Sequence, residues 1–327
     1  MKISGIELTT VVERDRPAQL LVLTSESGFS GTGEIPVDGD SRERSSVMLA
    51  DLLVGRDPFD VEALLRDSKR RSDGAIADIG LVSAATSAML DLASQSLETS
   101  MSQLLAGPIN DRARACAVDW AQGAADAAQL DDAARATVTE GYTMLRVEPF
   151  ATRDEIEPAV AAELVRSVRG AVGDEVDLVV VGHPLLSVAD AAAFASAISP
   201  SQPLWIEDLV SPWPRDPLER LAGRLNQPLA AGRGVRPELL PDLARTMLID
   251  HLILEVNRVG GPLESRRLAA LAEMQHIGVV TSGAGGAVSL RDALQLAAVL
   301  PNLTAVEVPR GLATIEHGMV ATTRSIA

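Results

Sequence analysis

The chain has 327 residues, a formal net charge of −16 and 46% hydrophobic content, enough for a full β/α barrel beside a smaller domain. The acidic balance excludes a nucleic-acid partner, since nothing in it would neutralise phosphates, and no apolar run approaches a membrane span. A single cysteine, Cys116, excludes an intrachain disulfide and a cysteine metal cage, and the absence of an apolar leader after Met1 sets a cytoplasmic location as the expectation.

Residues 1–35 read as a β-meander. KISGIELTTVV and AQLLVLTSES alternate as strands, and the glycine turns of GFSGTGEIP lead to a third edge. Residues 43–107 are helical by pattern; from Leu81 to Leu105 apolar residues recur at three and four positions, up to a stop at Gly107-Pro108. The spacing predicts an α+β lobe over residues 1–107. From Arg112 the texture changes to short apolar runs at 113–119, 142–148, 177–182, 204–208, 228–232, 251–256, 278–283 and 303–308, separated by helical stretches. Such a series predicts a parallel barrel over residues 108–309. Residues 310–327 have length only for a segment returning toward the lobe.

Three of these runs end at Val181, Glu207 and Arg233, spaced by 26 residues each time. Residues at the C-terminal ends of barrel strands face the active site, so that face receives an aliphatic residue, a carboxylate and a fixed cation. The only lysines are Lys2 and Lys69, which removes Schiff-base chemistry and a lysine base from the barrel mouth. Arginine stays protonated and is a poor proton acceptor.

Several motifs, in order along nearly the whole chain, resemble the mandelate racemase/muconate lactonizing branch of the enolase superfamily. They are GTGE (31–34), GRDPFDVE (55–62), SQLLAGPINDRARA (102–115), GYTMLRVEP (141–149), WIEDLVSP (205–212), PLAAGR (228–233), LEVNRVGGPLESRRLAALAE (254–273) and PNLTAVE (301–307). The resemblance implies an α/β fold: a TIM-type modified (β/α)₇β barrel with an N-terminal α+β capping domain. It also implies a mechanism in which a base removes the proton α to a carboxylate while Mg²⁺ stabilises the enediolate.

The family holds that metal with acidic residues on the third, fourth and fifth strands. Those positions match Val181, Glu207 and Arg233, so the expectation is a lost Mg²⁺ site with Glu207 as its remnant, and no cofactor. The second-strand lysines are matched by Arg146 and Glu148, the sixth-strand acid/base by Glu255 and the seventh-strand histidine by Ser282. His183 lies two residues after the first ligand position, as in some sugar-acid dehydratases, and Glu307 matches the eighth-strand glutamate.

The candidate catalytic residues are therefore Glu148, Glu255, His183 and Arg146. Arg233, Ser282, Glu307 and Trp213 are candidate substrate-binding residues. Arg233 beside Glu207 reads either as an ion pair filling vacated space or as a guanidinium in place of the metal. Glu148 reads either as a base or as the structural partner of Arg146, since i and i+2 share a strand face. The glycine-rich TSGAGGA (281–287) reads as an anion loop or as a tight turn, and the polar loop Val11–Pro17 as one that closes over substrate or stays solvated. Asp208, Asn257 and Arg258 read as mouth or helix-capping residues.

Two functions fit. One is a metal-independent isomerase or lyase of racemase, cycloisomerase or dehydratase type, acting on a small carboxylate or carbonyl compound. The other is a noncatalytic protein keeping the fold for ligand binding or assembly. A displaced metal site built from His183, Glu207 and Glu255 is a third arrangement. The resemblance also implies self-association into a homo-oligomer.

Overall fold

The computed structural model describes residues 1–13, 16–36, 50–70, 79–124, 126–151, 157–283 and 285–322. Part of the loop Val11–Pro17 therefore lies outside the described residues, as do the expected helical stretches 43–49 and 71–78.

The first lobe is an antiparallel meander of β1 (Ile3–Glu13), β2 (Arg16–Ser25) and β3 (Ser30–Ile35). Its alternating pattern places Leu21 and Leu23 wholly inside. Two glycines on β3 let α2 (Ile79–Ser96), which follows α1 (Val61–Arg70), lie directly on the sheet. A Cβ at Gly31 would fall 2.2 Å from the Ala88 carbonyl oxygen, and one at Gly33 would fall 1.9 Å from that of Ala84. The first two glycine positions of GTGE are thus explained by close approach of a helix.

The helix expected to run unbroken from Leu81 to Leu105 is interrupted. Glu98 has φ +52°, and Ser100 caps a short new helix, α3 (Met101–Leu105), by accepting from the Gln103 N–H at 3.1 Å. The apolar period continues across the break, which is why the pattern conceals it.

All eight barrel strands form: β4 (Arg112–Val118), β5 (Met144–Val147), β6 (Asp177–Val181), β7 (Trp205–Glu207), β8 (Leu229–Ala231), β9 (His251–Glu255), β10 (Gly278–Ser282) and β11 (Leu303–Pro309). They are parallel and ordered by sequence, and β11 returns to pair with β4 and close the sheet. The intervening helices are α4 (Ala127–Thr139), α5 (Pro158–Val172), α6 (Val188–Ile198), α7 (Arg215–Ala222), α8 (Leu240–Arg245), α9 (Gly261–Met274) and α10 (Ala287–Ala297). No helix follows β11 among the described residues, so the unit is a (β/α)₇β barrel.

Of the last segment, residues 310–327, the structure describes the part up to residue 322. β12 (Met319–Ala321) pairs antiparallel with Arg112–Arg114 of β4. β11 covers β4 only from Ala115 to Val118, so the first residues of that strand keep a free edge that β12 satisfies. No described helix is long and apolar enough to cross a membrane.

Candidate active site

The barrel interior is layered. One residue from each strand, from Cys116 on β4 through Met144, Trp205 and Ile253 to Ala305 on β11, contributes to a buried apolar cluster. Two residues further along each strand the same face turns polar, because i and i+2 project alike. Arg146, Glu207, Glu255, Ser282 and Glu307 occupy this upper layer with Val118, Val181 and Gly232.

Arg146 is buried at its centre. Its Nε lies 3.1 Å from Glu207 Oε2 and 3.3 Å from Glu307 Oε1, and its Nη1 donates to Glu148. Glu207 also accepts from Trp205 Nε1 at 3.3 Å. Arg233 arrives from beyond β8 because Gly232, at φ +137°, folds the chain over the barrel. A Cβ there would lie 2.4 Å from the Ile253 carbonyl oxygen. Arg233 donates to Glu307 and, at 3.2 Å, to Glu255 Oε1; its Nη2 is 3.9 Å from Glu207 Oε2. Glu255 Oε2 accepts the Gly234 N–H at 3.1 Å, and Arg258 Nε lies 3.9 Å from Glu255 Oε1.

These contacts set the charge states. Burial opposes the charge of Arg146, as does Arg233, but Glu207, Glu307 and Glu148 outweigh both and hold the guanidinium protonated more firmly than usual. Burial likewise opposes ionisation of Glu307, yet Arg233 and Arg146, with hydrogen bonds from Ser282 and Arg233, hold it below the ordinary range. Asp208 follows Glu207 at φ +48°, with a buried Oδ1 that lacks a hydrogen-bond partner. Burial, then the charge of Glu207, pushes its carboxyl up to about 7.

Above the polar layer lies a cavity of about 570 Å³ between lobe and barrel. Pro17, Ala18, Glu34 and Pro36 line it from the lobe, and Arg146, Arg233, Arg258, Ser282, Glu307 and Arg310 from the barrel. A second cavity of about 400 Å³ lies beside it, with Val147, Glu148, Leu130 and Leu164 in its wall. The two share Asp119, Trp120, Gln122 and Arg146. Trp120 is braced between them by donating its indole N–H to the Arg146 carbonyl oxygen at 2.8 Å.

The structure thus brings together Arg146, Glu148, Glu207, Arg233, Glu255, Ser282 and Glu307. His183 and Trp213 line neither cavity. The His183 ring packs edge-on against Phe150 at 6.0 Å, and its Nδ1 accepts the Leu185 N–H at 3.3 Å. Trp213 is 40% exposed in the loop after β7, its backbone tied to Ser211. The displaced metal arrangement of His183, Glu207 and Glu255 does not assemble, for among the described residues no three His, Cys, Asp or Glu side chains converge on a metal position.

Trp120, Asp119, Gln122 and Arg310 are among the lining residues that sequence reasoning left out, and Glu34 appeared there only as part of the GTGE motif. Trp120 lies beyond β4, after Asp119, whose φ of +59° ends the extended backbone, so strand alternation does not reach it.

Comparison with known proteins agrees with this architecture. Residues 5–106 match the family profile described as mandelate racemase/muconate lactonizing enzyme, N-terminal domain, and residues 129–325 the profile described as enolase C-terminal domain-like. A D-xylonate dehydratase of Haloferax volcanii is 26% identical over 316 residues, spanning 91% of this chain and 76% of the relative. A D-galactonate dehydratase of Verminephrobacter eiseniae is 26% identical over 323 residues, 95% and 82% respectively. A solved structure from Agrobacterium radiobacter, a candidate galactarate dehydratase with sodium and L-malate bound, superposes with a TM-score of 0.85 at 22% identity, covering 100% of this chain and 91% of that one.

The expectation of a lost metal site and no cofactor is corrected by these relatives: the same fold in the Agrobacterium protein holds a sodium ion with L-malate. The expectation weighed three strand ends alone, whereas four glutamates, 148, 207, 255 and 307, surround Arg146 and Arg233 and leave an excess of negative charge. In the arrangement described, the two guanidiniums occupy the space between those glutamates, so the side chains as placed do not form a ligand set for a cation. Fold, lobe and ordered motifs agree with the two profile matches, and the chain belongs to the mandelate racemase/muconate lactonizing branch of the enolase superfamily.

Proposed function

We propose that this protein is a lyase of the dehydratase type whose substrate is a small polyhydroxy carboxylate, a sugar acid. The observation that carries the reading is a cavity closed between lobe and barrel, with guanidiniums from Arg146, Arg233 and Arg258 and one half-open carboxylate at its junction. That carboxylate is Glu148, 38% exposed at its side chain, against 1% for Glu207 and 3% for Glu307. The likeness to dehydratases of D-xylonate and D-galactonate over nine-tenths of the chain supports the same class.

In this reading Arg233 and Arg258 bind the substrate carboxylate and favour the charge that builds on it as the α-proton leaves. Glu148 takes the α-proton as the C–H bond breaks. The electron pair forms the α,β double bond, the β-hydroxyl departs, and the proton returned from Glu148 makes it water. The enol then tautomerises to a 2-keto-3-deoxy acid, so substrate equals product plus one water. Racemisation needs a second free acid/base on the opposite face. Glu255, the candidate for that role, is buried and held by Arg233 and the Gly234 N–H, whereas Glu148, though it accepts from Arg146, keeps an open side, which favours elimination.

The test is incubation with D-xylonate, D-gluconate and D-galactonate, with and without added Mg²⁺, following the keto acid as its semicarbazone. Product from at least one acid is expected, with loss of turnover but retained binding in Glu148→Gln. No product from any acid in either condition would overturn the reading and leave the noncatalytic alternative in its place.

A further inference from the structure

We infer that Glu34 is a positioning residue, which docks the lobe onto the barrel through the first turn of α10 and so holds Gly285 and Gly286 in the wall of the larger cavity. Glu34 ends the GTGE motif on β3 and is only 4% exposed. Its Oε1 accepts the Gly286 N–H at 2.5 Å and its Oε2 accepts the Ser289 N–H at 2.9 Å. A carboxylate seated on a helix N-terminus gains both from the unsatisfied donors and from the helix dipole.

The socket is shaped around that carboxylate. A Cβ at Gly285 would lie 2.1 Å from Glu34 Oε1 and 2.8 Å from Ser289 Oγ, so a side chain there would expel the glutamate. Within the glycine-rich run 281–287, of which residue 284 lies outside the described residues, Gly286 donates to an anion that the protein itself supplies.

A second tie lies one turn further along α10. Arg291 donates to Asp91 Oδ2 at 2.8 Å and to the Thr32 carbonyl oxygen at 2.7 Å. From the socket the coupling runs into the site, because Asn257 Nδ2 donates to Ser289 Oγ at 3.0 Å and Asn257 follows β9, whose last residue Glu255 engages Arg233.

The inference does not depend on the lyase reading, and its test is hydrogen exchange by mass spectrometry on the full chain. Glu34→Ala is expected to speed exchange over residues 283–289 by about tenfold or more, with residues 252–255 of β9 unchanged. Excess formate, which fits the vacated socket, is expected to restore protection. Glu34→Gln, which keeps a neutral acceptor, is expected to fall between.

Unchanged exchange over 283–289 would overturn the inference, as would loosening spread through the barrel in both variants or protection that formate does not restore. If a sugar acid is turned over, Glu34→Gln should raise KM more than it lowers kcat. A wild-type protein without turnover would count against the lyase reading alone.

Discussion

The guanidinium of Arg146 stands between two buried carboxylates, with Nε 3.1 Å from Glu207 and 3.3 Å from Glu307. This contact fills the barrel mouth where the polar layer meets the apolar one, and it reaches Glu148 on the open side. Neither carboxylate is open to solvent, and Arg146 is one of the two guanidiniums facing both of them, Arg233 being the other. Replacing it with methionine keeps the volume and leaves two like charges in a low dielectric. The expected cost is about 3–5 kcal/mol, read as a shift in urea midpoint at unchanged m-value. Adding Glu207→Gln to the same variant should recover much of the loss; equal stability of the single variant and the wild type would show that the cluster is not coupled.

Arg233 makes a different prediction because it enters from a loop and not from a strand. Its removal leaves Glu207, Glu255 and Glu307 facing one another without their second cation. Arg233→Ala should therefore bind Mg²⁺ or Mn²⁺ more tightly than the wild-type protein, since three carboxylates around an open space are what a hard cation requires. Titration calorimetry on both proteins measures the difference. Equal or weaker affinity in the variant would mean that the glutamates are splayed too far to share an ion.

Cys116 tests the layer below. It is 1% exposed, and burial first, then the charges of Glu307 and Glu207, pushes its thiol well up. The thiolate is the reactive form. The folded protein should therefore be inert to a disulfide reagent at pH 8 and react with one equivalent in denaturant. Rapid labelling under native conditions would show that the barrel floor opens.

The fold was legible because the barrel repeats one simple signal, a short apolar run, eight times, with a helix between each run and the next. The polar layer was legible for a related reason: Arg146, Glu207, Glu255, Ser282 and Glu307 are strand residues, and a strand fixes which face a side chain takes. Beyond strand ends legibility was partial: Glu148 and Arg233 join the polar cluster, and other residues do not. His183 and Trp213 belong to loops, where two residues of chain can turn a side chain away, as Phe150 and Ser211 do here. Glu34 was visible as part of a motif, but its partners are more than 250 residues away, and only the docked lobe brings them together. The break in the long lobe helix was hidden by an apolar period that continued through it.

Asp208 gives the sharpest dependence on pH. Its carboxyl is pushed up to about 7, first by burial and then by the neighbouring charge of Glu207, with Arg233 and Arg146 opposing. In the unfolded chain it titrates near its ordinary value of about 4. Between about pH 4 and 7 the folded protein thus holds a proton that the unfolded chain has released, so this residue makes stability fall as pH rises through that window. Glu307 works in the opposite sense, since its folded value is depressed and its contribution is lost on acidification. A single wild-type curve mixes the two, but the difference between Asp208→Asn and wild type isolates the first. Asparagine also tolerates the φ of +48° found at this position, so the backbone is unchanged. The variant is expected to match the wild type near pH 4 and to exceed it progressively up to pH 8, by thermal denaturation at each pH. A constant offset across that range would mean that Asp208 is ionised in the folded protein as it is in water.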